Sequence, residues 1–192
     1  MEIRKNSIEN YFSSKKTTFW GLLKSTKKWK EIYNQTESII SLIITVIVMI
    51  VLCIVYKKST FEDFMEMLKI LDMFLIESSV GMLGFIISGL AIFTGTITNK
   101  LVKNVDTDQK IDSLIGILFS FYFIGMVIGI SIFFYVTVYI FLTSNYLFTL
   151  KRMVGVGSIC SYLYAYMIFY SISLLGTCIR LFFVSYKYSR DE

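Results

Sequence analysis

The sequence predicts an all-α integral membrane protein with four transmembrane helices, a cytoplasmic amphipathic amino-terminal helix and an outer amphipathic helix between spans one and two. Three observations carry the four spans. The 192-residue chain is 55% hydrophobic and 17% charged, which exceeds the apolar share of ordinary soluble domains. Charge-free apolar runs at 38–56, 78–99, 113–142 and 153–179 each reach the roughly 17–25 residues that let a helix cross a bilayer. A chain of this size also has too little interior to hide all of them in a soluble fold.

The chain divides into a basic segment, 1–37, and a transmembrane domain, 38–192. The amino terminus, MEIRKNSIENYFSSKKTTFWGLL, lacks the apolar core and small-residue cleavage site of a secretory signal, so the run beginning near Ile39 is expected to stay as an anchor. Within 17–34, Phe19, Leu22, Leu23, Trp29 and Tyr33 gather on one side, with Lys24, Lys27, Lys28 and Glu31 on another. Such a helix lies on a charged leaflet or docks a soluble partner, with Trp20, Lys24, Lys27, Lys28 and Trp29 as the contact residues.

Lys and Arg set the orientation. Eight precede the first run, three lie in 100–110 and three at the carboxyl end, against five on the other side (Lys57, Lys58, Lys69, Lys151, Arg152). Both termini are therefore expected in the cytoplasm. The net charge of +5 reads as topology and attraction to anionic inner-leaflet lipid, with no direct nucleic-acid partner.

Between spans one and two, Ser59-Thr-Phe-Glu62 reads as a capping box. It precedes apolar Phe61, Phe64, Met65, Leu68, Leu71 and Leu75, with Glu62, Glu66, Lys69 and Asp72 on the polar side. This segment is either a surface-lying connector or an outward extension of span two, and its amphipathicity favours the connector.

In span two, Gly81, Gly84, Ser88, Ala91, Gly95 and Thr98 recur at spacings of 3, 4, 3, 4 and 3, which sets them on one seam of a close helix pair. Three readings fit: packing against another helix of the chain, packing around an oligomer axis, or lining a water or ion path. The first is the simplest and makes Ile86 lipid-facing. A pore here would be narrow and apolar, because the seam offers only Ser88 and Thr98 as polar groups.

Span three adds Gly116, Ser120 and a GxxxG pair, Gly125–Gly129, a common packing motif of membrane helices. The charge-free run continues to Leu150, so 143–146 is the place for it to turn. Span four carries Gly157, Ser161 and Ala165 beside a stripe of Tyr162, Tyr166 and Tyr170. Hydroxyls in hydrocarbon need partners, so the stripe is expected to face protein or to form a polar wall for a ligand or lipid headgroup.

The chain has no histidine, and Cys53, Cys160 and Cys178 all fall inside apolar runs. They read as small hydrophobes, a Cys53–Cys160 bridge being the alternative, and neither metal nor cofactor is expected. No charge lies inside the four runs, which lowers the weight of proton relays and ion-coupled transport. Arg180 reads as a snorkelling residue at a span end, and Asp106 or Asp108 as a cap for span three. No phosphate loop, EF-hand or nucleophile elbow is present, so the protein is not expected to be an enzyme.

The basic amino end, four spans, short loops and the glycine-rich GMLGFIISGLAIFTG of span two resemble the small four-span membrane proteins of bacterial anti-phage defence systems. The nearest are the KwaA membrane components of the two-protein Kiwa system. The resemblance covers the whole chain and carries over no individual residue. It implies a homo-oligomer in the bacterial inner membrane, a sensor, scaffold or pore working with a cytoplasmic protein partner. The residues alone leave a second reading open, a small transporter or lipid-handling protein using the tyrosine-lined face of span four.

Overall fold

The computed structural model describes residues 36–96, 111–144 and 150–190. They form α1 (Thr36–Lys58), α2 (Phe61–Thr96), α3 (Ile111–Thr143) and α4 (Leu150–Arg190). All four helices are long and apolar enough to cross a membrane. The expected amino-terminal helix with Trp20, Lys24, Lys27, Lys28 and Trp29, as well as Thr98, Asp106 and Asp108, lie outside the described residues.

The largest departure from the sequence reading is α2. The amphipathic segment and span two form one helix of 36 residues, about 54 Å long at 1.5 Å per residue, so the connector is not a separate surface helix. No proline interrupts it. Its start also lies one residue later than the Ser59 box implied. Thr60 Oγ1 donates to Asp63 Oδ2 at 2.6 Å and accepts from the Asp63 backbone N–H at 3.3 Å. The box is thus Thr60-Phe-Glu-Asp63, and both acids of the first turn suit the positive end of the helix.

The α1–α2 turn is tight because the two helices share it. Ser59 N–H still bonds the Val55 carbonyl at 2.9 Å, while Phe64 N–H bonds the Thr60 carbonyl at 3.1 Å. Tyr56 and Phe64 pack edge to face across it, with ring centroids 5.2 Å apart. Beyond this turn the helices choose different partners: α1 packs along α4, α2 along α3, and α3 against α4 joins the pairs.

Helix α3 is the most buried of the four. Its Phe123, Ile124, Ile128 and Tyr135 meet Tyr166 and Met167 of α4 in the centre, all below 2% exposed or close to it. Helix α1 is apolar on nearly every side and buries only Ser38, Ser41 and Leu52. A helix that leaves Ile43, Ile47 and Ile54 outside suits lipid, which solvates aliphatic side chains as well as a protein core does.

The contact between α2 and α3 centres on Ile86, Gly89 and Phe93. Ile86, expected to face lipid, is 3% exposed. It lies against Gly125, where an added Cβ would stand 3.9 Å from Ile86 Cγ2. Phe93 and Phe121 pair at 5.8 Å between centroids, an arrangement worth about 0.5–1.5 kcal/mol beyond area burial. Of the GxxxG pair, Gly125 therefore takes the crossing, while a Cβ at Gly129 would meet nothing within 4 Å.

Candidate functional site

Helical phase divides α2 into an inward and an outward face, and each carries a feature that the fold alone does not need. On the inward face stands Asp72, eleven residues after Phe61 and so about 16 Å along the helix. It is 4% exposed, and neither carboxylate oxygen has a hydrogen-bond partner. The sequence reading set it on the polar side of a surface helix and found no charge inside a span. Continuity of α2 corrects the first point: Asp72 stands on the same helix as span two, six residues before the charge-free run 78–99, and turns into the bundle. A buried carboxylate without a partner is costly, and function is a common reason for keeping one.

Asp72 lines a cavity of about 290 Å³ to which all four helices contribute, with Leu52 of α1, Phe74 of α2, Val138 of α3, and Cys160 and Tyr164 of α4 among its walls. The gap lies where α1 and α2 diverge onto different partners, while at its wall Gly157 lets Leu52 of α1 come close to α4. A Cβ at Gly157 would stand 3.3 Å from Leu52 Cδ1. Two bonds between helices hold the α4 wall in place. The Ser78 and Tyr164 hydroxyls meet at 2.8 Å, and the Tyr135 hydroxyl donates to the Cys160 carbonyl at 3.2 Å. Leu71 and Phe74, both exposed, stand at the edge, so the cavity opens sideways to the surface of the bundle.

A second orphan follows one stripe further along. Ser79 is fully buried with no partner for its hydroxyl, whereas Ser41, Ser88, Ser120 and Ser171 return theirs to the carbonyl four residues earlier.

The tyrosine stripe points into the bundle. Tyr166 and Tyr170 are buried and Tyr162 is half-buried. Successive centroids lie 6.3 and 5.6 Å apart, and Tyr170 meets Phe123 at 6.1 Å. These rings pack the core, while the cavity beside them is lined by Ser161 and Tyr164.

The outward face of α2 overturns the simplest reading of the small-residue seam. Gly81, Gly84, Ser88, Ala91 and Gly95 are all exposed, and a Cβ at Gly81, Gly84 or Gly95 would meet nothing within 4 Å. The seam does not pack against another helix among the described residues, because α3 occupies the opposite side through Ile86, Gly89 and Phe93. The same face continues toward the α1–α2 turn as exposed Glu66, Met73 and Glu77. Glu66, Glu77 and Ser88 are spaced by eleven, as are Met73, Gly84 and Gly95, and eleven residues return a helix almost to the same azimuth. This continuity belongs to the outward-extension reading of the segment, not to the connector that amphipathicity favoured.

All three cysteines are free, with Cys53 exposed, Cys160 buried and Cys178 half-buried, so Cys53 and Cys160 are not bridged. Among the described residues no three His, Cys, Asp or Glu side chains cluster to hold a metal. Comparison with protein-family models, curated proteins and solved structures gave no match. What the fold and site define is a class: a multi-pass helical membrane protein with an acid-bearing cavity inside the bundle and a small-residue face outside it.

Proposed function

We propose that this chain is a subunit of a homo-oligomer of the bacterial inner membrane, assembled around α2, which acts as a non-enzymatic sensor, scaffold or pore with a cytoplasmic partner in anti-phage defence. One observation carries the assembly: the unpartnered face of Gly81, Gly84, Ser88, Ala91 and Gly95. Toward lipid, leucine would serve as well as glycine. Small residues matter where another backbone must come close, and in lipid such close contact is a main source of helix association. A second copy of α2 supplies that backbone.

The acids on the same face shape the assembly. Like charges repel, more so at low dielectric, so copies of α2 converge along Gly84–Gly95 and spread toward Glu77 and Glu66. The result is a funnel, narrow at the glycines, with an acidic mouth that attracts cations. With both termini cytoplasmic by the charge bias, the mouth faces outward. The resemblance to four-span defence proteins supplies the biological setting. The tyrosine-based transporter reading loses support, since that stripe is packed in the core.

The test is assembly and conductance in lipid. In nanodiscs and in membrane cross-linking, the wild type should form a discrete oligomer, and Gly84→Leu and Gly95→Leu should yield folded monomers. A membrane-potential dye then separates pore from scaffold. A monodisperse wild-type monomer, or variants that assemble like wild type, would end this reading.

A further inference from the structure

We infer that the cavity around Asp72 is a binding site for a hydrophobic amine, a protonated primary amino group carried on an apolar body. The inference does not depend on the assembly proposed above. Asp72 lies twelve residues before Gly84, about 120° away around the helix, so the two faces can be disabled separately.

Four observations select this ligand class. Both oxygens of Asp72 lack a hydrogen-bond partner although the residue is 4% exposed, so the site is short of donors and of positive charge. A primary ammonium supplies both, with three N–H groups at a single centre. The remaining walls are overwhelmingly aliphatic and aromatic, which argues against a bare inorganic cation, because such an ion needs several oxygens around it. Among the described residues no multi-acid cluster provides them.

The aromatic groups at the cavity fit the same ligand. Phe74 and Tyr164 stand edge to face, 6.5 Å between centroids, and both line the space. Aromatic faces attract ammonium groups and pack well against an apolar body. The Ser78 and Tyr164 hydroxyls share a hydrogen bond at 2.8 Å that fixes this wall, and neither bonds the carboxylate. With about 290 Å³, near the lower end for small-molecule sites, the cavity takes an amine of one ring or a short alkyl chain. The sideways opening at Leu71 and Phe74 gives it a way in.

The experiment uses the full chain in phosphatidylcholine nanodiscs, with 2-phenylethylamine as probe and its uncharged analogue 2-phenylethanol as control. The expected result is a saturable rise in melting temperature with the amine and none with the alcohol, and at least a tenfold loss of amine affinity in Asp72→Asn. Asp72→Leu should lose the response while melting at or above the wild-type temperature, which separates loss of binding from loss of fold. The same chemistry is carried by phosphatidylethanolamine, so the titration is repeated with that lipid in the disc. Competition assigns the site to the lipid headgroup, and its absence assigns it to free amines; either outcome supports the site. Equal responses to amine and alcohol, no saturable response to the amine, or an unchanged response in Asp72→Asn would overturn it.

Discussion

Gly84 and Gly89 lie five residues apart on α2, and the same substitution at each should produce opposite failures. A Cβ at Gly89 stands 3.2 Å from Phe121 Cε1, a ring edge that is itself 4% exposed and backed by Phe93 at 5.8 Å. Gly89→Leu adds three more carbons where one is already tight. Overpacking of this kind typically costs about 1–3 kcal/mol, partly offset by the gain of up to about 1 kcal/mol from replacing a helical glycine. At Gly84 a Cβ meets nothing within 4 Å, so Gly84→Leu keeps that gain within the subunit.

For a chain of this size each kcal/mol moves the melting temperature by about 2–4 °C. Gly89→Leu should therefore melt several degrees below wild type, and Gly84→Leu at or slightly above it. The measurement is made in enough detergent to separate subunits, since dissociation alone lowers apparent stability. With exposed Cys53 and half-buried Cys178 replaced by Ala in every variant, a maleimide dye that reacts when buried Cys160 becomes accessible reports unfolding. In nanodiscs the ranking reverses for assembly, with Gly84→Leu monomeric and the surviving Gly89→Leu protein still associated. If Gly84→Leu melts as low as Gly89→Leu, the division of α2 into core and outward faces is wrong.

The remaining expectations concern local bonds. Thr60→Ala removes both interactions with Asp63 and should cost about 1 kcal/mol, seen in hydrogen exchange as lost protection confined to the first turn of α2. Ser78→Ala and Tyr164→Phe should show a coupling of about 0.6 kcal/mol and no more than about 1.7, the range for hydrogen bonds between membrane helices. A double-mutant cycle on melting free energies measures it, and a value near zero would mean that the 2.8 Å contact does not persist in the membrane.

How much of this was legible before the structure depends on the kind of information involved. Four helices could be read from hydropathy, because the requirement for about 20 apolar residues is one-dimensional and independent of what the helix touches. The capping residues were misread by one position, since Ser59 and Thr60 both offer a hydroxyl ahead of an acid. Only the backbone decides which of them starts the helix, and it chose Thr60.

Which way each helix faces was not legible. In water, the contrast between polar and apolar sides marks the buried face; in lipid both sides are apolar, so Ile86 and Ile87 look alike although one is 3% exposed and the other 60%. Gly89, the glycine that α3 presses on, went unnoticed because it lies off the regular seam. By itself the sequence determined the spans, the charge bias across them and the existence of a small-residue stripe on α2. The tertiary structure decided that the stripe looks outward and that Asp72 looks in. The physical reason is one unbroken helix: with no stop between Phe61 and Thr96, the phase that turns glycines away from α3 also carries a carboxylate into the bundle.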